Sequence, residues 1–324
     1  MAAYGFTLSS EEHDPLTLVR LAERAEAEGF DFLSISDHFH PWVSAQGHSP
    51  FVWSVLGGVA ARTERVEVAV GVTCPILRVH PSIVAHAAAT VARMLPGRFS
   101  LGVGTGEALN EHITGQRWPA VDIRRAMLDE AVAVMRELWS GEVVTHRGEH
   151  YVVEQARLFD PPDHELPVIV SAFGPAAAEL AGRIGDGLWT SGDPEVLEAY
   201  ERAGGAGPRY AQVKLCWAER EDEARETVHR LWPTSAVPGQ LSQDLPTYQH
   251  FEWATSNATM EMTTSSTPCG PDPQPVLEKI QQLESAGIDH IHLHQIGPDQ
   301  EGFFRFWGEQ LRPALQGQAA GGRR

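Results

Sequence analysis

Residues 66–107 read VEVAVGVTCPILRVHPSIVAHAAATVARMLPGRFSLGVGTGE, and they contain one complete unit of the fold. Val66–Gly71 is a β-branched run with the pattern of a strand. Pro81–Met94 is a helix that begins at a proline and is stopped by Leu95-Pro96-Gly97. Phe99–Val103 is the next strand. Working outward, the same alternation continues in both directions. Upstream, strands at Tyr4–Leu8 and Phe32–Ser36 alternate with helices at Asp14–Gly29 and Pro50–Arg62. Downstream, a helix at Ile123–Trp139 is followed by strands at Val168–Ser171, Gly187–Thr190, Tyr210–Trp217 and Ile288–His294. Helices at Pro175–Ile184, Glu195–Ala203, Asp222–Leu231, Pro273–Ala286 and Gly302–Leu315 complete the series. About eight strand–helix pairs in 324 residues predict an α/β chain folded as a (β/α)8 TIM barrel. A doubly wound open sheet would often carry a Gly-rich phosphate loop after its first strand, and Ser9–His13 is no such loop.

Two segments break the rhythm. Residues 141–167 contain a hairpin-like piece and Pro161-Pro162. Residues 233–271 form a long irregular polar stretch rich in Pro, Ser and Thr, read as a lid over the site or, alternatively, an oligomer contact. The expected organisation is one domain over 1–315 with these two insertions, and a frayed tail over 316–324. A formal charge of −18, from 43 acidic and 25 basic residues, repels a phosphate backbone, so no nucleic-acid partner is expected. No run approaches the ~20 apolar residues of a membrane span. The N-terminus lacks a signal-peptide pattern. Cys74, Cys216 and Cys269 are far apart and form no C-x-x-C pair, which suits a reducing cytoplasm.

In a barrel of this kind the chemistry gathers at the strand C-termini. Ser36-Asp37-His38-Phe39-His40-Pro41-Trp42 follows the second strand, and Gly71-Val72-Thr73-Cys74 the third. Gly102-Val103-Gly104-Thr105-Gly106-Glu107 and Asn110 follow, then Ala172-Phe173-Gly174 and Trp189-Thr190. A histidine can accept an alcohol proton near neutral pH, and a carboxylate beside an apolar ring can carry one. Backbone amides at a Gly-rich helix start suit a phosphodiester without lysine.

With Ala181-Gly182-Arg183-Ile184-Gly185-Asp186-Gly187 added, these motifs resemble the luciferase-like flavin and deazaflavin oxidoreductases, in the branch of F420-dependent glucose-6-phosphate dehydrogenase. The resemblance runs from Tyr4 to about Ser191 and, more weakly, from Pro273 to Leu315. It implies a coenzyme F420-dependent oxidoreductase that moves a hydride between C5 of the deazaflavin and a small alcohol, ketone or enone. An FMN-dependent monooxygenase is the alternative. The implied catalytic residues are His38, Glu107 and Trp42. Asp37, Gly71, Val72, Cys74, Thr105, Gly106, Asn110, Phe173, Gly174, Ala176 and Ala177 are implied to bind the cofactor, with a non-proline cis peptide at Gly71-Val72. Trp42, Trp189 and Thr190 are expected to line the substrate side. A small-molecule substrate and a homodimer are implied as partners.

Plainer readings stand beside these. Cys74 is a small packing residue before it is a nucleophile. His290, His292 and His294 alternate along the last strand, as a metal site would allow, but solvent-facing or hydrogen-bonded histidines are the preferred reading and no metal is expected. Sugar-phosphate members of the branch carry Thr-Ser-Gly-Lys after the sixth strand, where this chain has Thr190-Ser191-Gly192-Asp193. An aspartate there repels a phosphate dianion, so glucose 6-phosphate is expected to be a poor substrate or none.

Overall fold

The computed structural model describes residues 2–321, with side chains to residue 317. In chain order its strands are β1 (Ala3–Leu8), β2 (Phe32–Ile35), β3 (Glu67–Thr73), β4 (Phe99–Val103), β5 (Val144–Arg147), β6 (Val152–Ala156), β7 (Val168–Ser171), β8 (Gly187–Trp189), β9 (Arg209–Leu215) and β10 (His290–Gln295). The helices are α1 (Pro15–Ala27), α2 (Val52–Arg62), α3 (Pro81–Met94), α4 (Ala108–Glu111), α5 (Val121–Trp139), α6 (Pro175–Ile184) and α7 (Pro194–Arg202). They continue with α8 (Glu221–Leu231), α9 (Leu241–Asp244), α10 (Tyr248–Ala254), α11 (Met260–Thr264), α12 (Gln274–Ser285), α13 (Gln300–Phe306) and α14 (Arg312–Gly321). Eight parallel strands close in the order β1-β2-β3-β4-β7-β8-β9-β10, which is the expected TIM barrel. The helices start where the sequence marks them. Asp14 accepts hydrogen bonds from the Leu16 and Thr17 amides ahead of Pro15, and Asp193 caps α7 through the Glu195 amide.

Strand alternation divides the side chains into two sets. Leu33, Ile35, Val68, Val70, Leu101, Val213 and Leu293 point outward into the apolar layer under the helices. Phe32, Ala69, Ile169, Trp189 and Tyr210 point inward and plug the barrel, with Trp189 stacked on Tyr210 at 5.1 Å. Above that plug the inward positions turn polar. The Thr7 hydroxyl and the Ser34 hydroxyl each sit 2.8 Å from His292 Nδ1.

The insertion at 141–167 is a hairpin of β5 and β6. Three of its amides, at Glu149, His150 and Tyr151, donate to the Glu130 carboxylate of α5. Residues 233–271 depart from the irregular stretch expected. A 3-10 turn (Pro233–Ala236), α9, α10 and α11 run through them. Helices this short gain little from propensity and form here because they dock. Phe251 of α10 is fully buried against Trp42, Val43 and Leu109. The tail expected to fray after Leu315 is helical to Gly321, anchored where Leu311 and Leu315 join the core; residues 322–324 lie outside the described residues. Cys216 and Cys269, distant in sequence, meet in one parallel bridge as free thiols. Among the described residues no helix is long and apolar enough to cross a membrane.

Candidate active site

A cavity of about 710 Å³ opens at the C-terminal ends of the barrel strands, and the helices of residues 233–271 form part of its wall. His38, Trp42, Gly71, Val72, Glu107, Phe173, Trp189 and Thr190 all line it, so residues following five different strands converge on one space.

His38 is held from both sides. Its Nδ1 lies 3.2 Å from the His40 carbonyl and 3.2 Å from Asn110 Nδ2. Its Nε2 lies 3.5 Å from Glu11 Oε1, and the ring sits 5.0 Å from the Trp42 ring. Glu11 is buried and also accepts hydrogen bonds from the Ser9 and Ser36 hydroxyls. Burial raises the Glu11 carboxyl, but the opposing His38 and the Ser36 hydroxyl outweigh it and hold Glu11 below the usual carboxylate range. The Glu11 carboxylate therefore stands within ion-pair distance of the His38 ring, where it can offset a positive charge. Glu107 enters the cavity from the start of α4, where Asn110 Nδ2 donates to it at 3.4 Å.

Other expected site residues do not line the cavity. Asp37 is buried with its carboxylate engaged by the Thr73 hydroxyl (2.8 Å) and by Arg78 (2.9 Å). Arg78 also donates through its backbone amide to Glu111 at 2.7 Å, and burial raises the Glu111 carboxyl. Asn110 accepts from the Phe39 and His40 amides, so it pins the loop that carries His38. Cys74 is buried, and its thiol is pushed well up by burial; a Cβ on Gly106 would collide with it. Thr105 and Gly106 form the turn after β4, Gly106 at a φ of +71°. Gly174, Ala176 and Ala177 stand at the start of α6 beside Phe173, outside the cavity wall. The Gly71–Val72 peptide is cis. Asp193 is occupied in capping α7.

Several residues at and behind the cavity wall were not anticipated. Glu12 follows Glu11 and stands behind the wall with its side chain as buried as that of Glu11. It accepts from Trp232 Nε1 (2.8 Å) and the Gly297 amide (2.7 Å), and pairs with His294 Nε2 at 2.8 Å. These contacts outweigh burial and keep its carboxyl below the usual range. His292, His294, Gln212 and Lys214 line the deep side. Burial drives His292 down to about 3, so it is neutral. Two adjacent glutamates three and four residues past the end of an apolar strand were the available signal for Glu11 and Glu12. His292 and His294 take separate partners, and among the described residues no group of three His, Cys, Asp or Glu side chains converges as a metal site would.

The chain is 36% identical over 327 residues to a Microbacterium testaceum (strain StLB037) protein named F420-dependent glucose-6-phosphate dehydrogenase, covering 97% of each chain. It is 37% identical to F420-dependent glucose-6-phosphate dehydrogenase 1 of Rhodococcus jostii (strain RHA1), covering 98% of this chain and 99% of the relative. It is also similar to the solved structure of an F420-dependent secondary alcohol dehydrogenase in complex with an F420-acetone adduct. The TM-score is 0.87 at 31% identity, over 95% of this chain and 97% of the other. The fold is shared with a tetrahydromethanopterin reductase from Methanopyrus kandleri, with a TM-score of 0.76 at 21% identity. Residues 4–290 match the luciferase-like monooxygenase model, nearly the whole of the barrel. The chain belongs to the luciferase-like monooxygenase family.

Proposed function

We propose that this protein is a coenzyme F420-dependent oxidoreductase acting on CH–OH groups of a small organic substrate. The observation that carries the reading is the convergence of His38, Trp42 and Glu107 on one cavity beside Gly71 and Val72, in a chain alignable end to end with enzymes named for that cofactor.

The cavity fits a planar ring. Its volume is within the roughly 300–1,000 Å³ range of small-molecule sites. Val72, Trp42, Trp189 and Phe173 offer apolar faces, and Ser and Thr hydroxyls supply polar edges. At the start of α6, a Cβ on Gly174 would meet nothing within 4 Å, which leaves space for an anionic tail against the helix N-terminus. When bound, F420 supplies a two-electron hydride acceptor or donor at a ring carbon. The protein residues then manage position and protons. His38 accepts the hydroxyl proton when an alcohol is oxidised and returns it when a carbonyl is reduced, with Glu11 balancing the imidazolium charge. Glu107 holds or releases a proton at the ring edge. Trp42 walls the substrate side and, with Phe251, keeps water out. Asp37 and Asn110 act through Arg78 and the 38–40 loop to hold these groups in place.

Glucose 6-phosphate is a poor substrate in this reading, because Asp193 stands where the sugar-phosphate branch has a lysine. The proposal extends to a homodimer in the cytoplasm with no nucleic-acid partner, which sedimentation and cell fractionation would check. The central test is parallel titration of F420 and FMN by fluorescence quenching, followed by turnover with secondary alcohols and glucose 6-phosphate. F420 binding with alcohol turnover is expected. FMN binding without F420 binding sinks the cofactor assignment, and efficient glucose 6-phosphate oxidation sinks the substrate exclusion.

A further inference from the structure

The deep side of the cavity holds a charge that the proposed chemistry does not use. β9 and β10 pair in parallel register, with His294 opposite Lys214 and His292 opposite Gln212, and all four residues line the cavity. Lys214 is the single lysine or arginine among the lining residues. Its Nζ lies 3.8 Å from the centroid of the Trp232 ring. Among the described residues it makes no hydrogen bond and no ion pair; the two nearby glutamates are committed elsewhere, Glu11 to His38, Ser9 and Ser36, and Glu12 to His294, Trp232 and Gly297. Three ammonium hydrogens are therefore left to the cavity contents. When a ligand displaces water from that space, an ammonium stacked on an indole needs a new partner, since a desolvated charge left alone is costly.

We propose that Lys214 is a specificity-determining residue that binds a single carboxylate of the substrate, making the preferred substrates monoanionic hydroxy acids. This deepens the CH–OH reading above and rests on it. Charge counting sets the limit at one: with Glu11 committed to His38, Ser9 and Ser36, the single ammonium of Lys214 can neutralise a monoanion but leaves a phosphate dianion under-compensated. The remaining lining is rich in groups that match substrate hydroxyls: Ser34, Ser36, Thr190, Thr267, Gln212 and Gln243. The buried Thr190 hydroxyl has no hydrogen-bond partner in the protein.

The test uses the full chain without cofactor and follows tryptophan fluorescence, with Trp232 as the reporter. Calorimetry provides the second readout. Gluconate is compared with sorbitol, and lactate with propane-1,2-diol, so that each acid has a neutral partner of similar shape. In the wild type each acid is expected to bind about tenfold or more tightly than its neutral partner, as a charge-assisted hydrogen bond provides. Lys214→Gln should remove that preference and leave the neutral ligands unchanged, and Lys214→Arg should keep part of it. Thermal melts check that the variants are folded. Acids that bind no better than the neutral compounds, no measurable binding of either acid, or a preference that persists in Lys214→Gln would each overturn the proposal. F420 titration of the same samples separates the two readings. Loss of F420 binding by the wild type defeats the oxidoreductase assignment and leaves the acid-versus-neutral comparison legible.

Discussion

Arg78 is buried between the carboxylates of Asp37 (2.9 Å) and Glu111 (3.5 Å), and neither contact faces the cavity. Burial alone would lower the arginine; the Asp37 charge and hydrogen bond reverse this and raise it. Removing one partner of such a pair leaves an uncompensated charge. Asp37→Asn should therefore cost about 3–5 kcal/mol in urea unfolding, with lost activity following from lost structure. His38 behaves differently because it touches the cavity. His38→Ala should leave F420 affinity and the unfolding midpoint nearly unchanged while kcat falls roughly 10²–10⁴-fold. If kcat survives within a few-fold, the proton belongs to another group. Asp37 and His38 are neighbours in the chain, and the sequence marked both as site residues. Their different surroundings depend on where each side chain points, which adjacent letters cannot report.

At the level of elements, the helices of residues 233–271 act as one side of the cavity. Contacts to the barrel side tie them down, among them Ser44 to Glu252 and Trp118 to Asp244. Phe251 of α10 packs edge-on against Trp42 at 5.2 Å, and Arg124 of α5 donates to Gln243 of α9 at 2.9 Å while its guanidinium lies 4.2 Å from the Trp118 ring centroid. Phe251→Ala removes a side chain whose full loss from a core costs about 3–5 kcal/mol. Because this segment docks onto a barrel that is already closed, the penalty should be felt locally. Faster hydrogen exchange and protease cleavage within 233–271, with KM raised and the barrel's unfolding midpoint unchanged, is the expected result. A lowered global midpoint with unchanged exchange would instead make these helices part of the main folding unit. Polar composition hid them in the sequence, since each is too short to show a periodic face.

For the whole molecule, acid is the expected weakness. His292 lies at the buried deep side of the cavity with its Nδ1 between two hydroxyls, and burial lowers it to about 3; burial also lowers His13. In the unfolded chain these histidines take up a proton below about pH 6.5, and in the fold they do so only at lower pH. The unfolded state then binds more protons, so stability must fall as pH drops from about 6.5 toward 3. Glu11 and Glu12, both held below the usual carboxylate range, add a loss of the same sign further down. Urea midpoints between pH 7.5 and 4 should decline, and His292→Gln should flatten the part above pH 5. A midpoint that stays level or rises across that span would mean that these histidines are protonated in the fold as well.

The amino-acid sequence by itself determined the barrel, because strand and helix periodicities are set by neighbouring residues and repeat about eight times in one chain. It also pointed to the strand ends as the place of the candidate site, and the motifs around His38 and Glu107 named the family. Only the tertiary structure decided which strand-end side chains share the cavity. Closing the barrel puts β1 beside β10 and brings Glu12 to His294 and Thr7 to His292, contacts between opposite ends of the chain. The same closure turns Lys214 inward and commits Asp37 and Asn110 to holding other residues. Such partners depend on register and on the pairing of distant strands, and no local pattern encodes either.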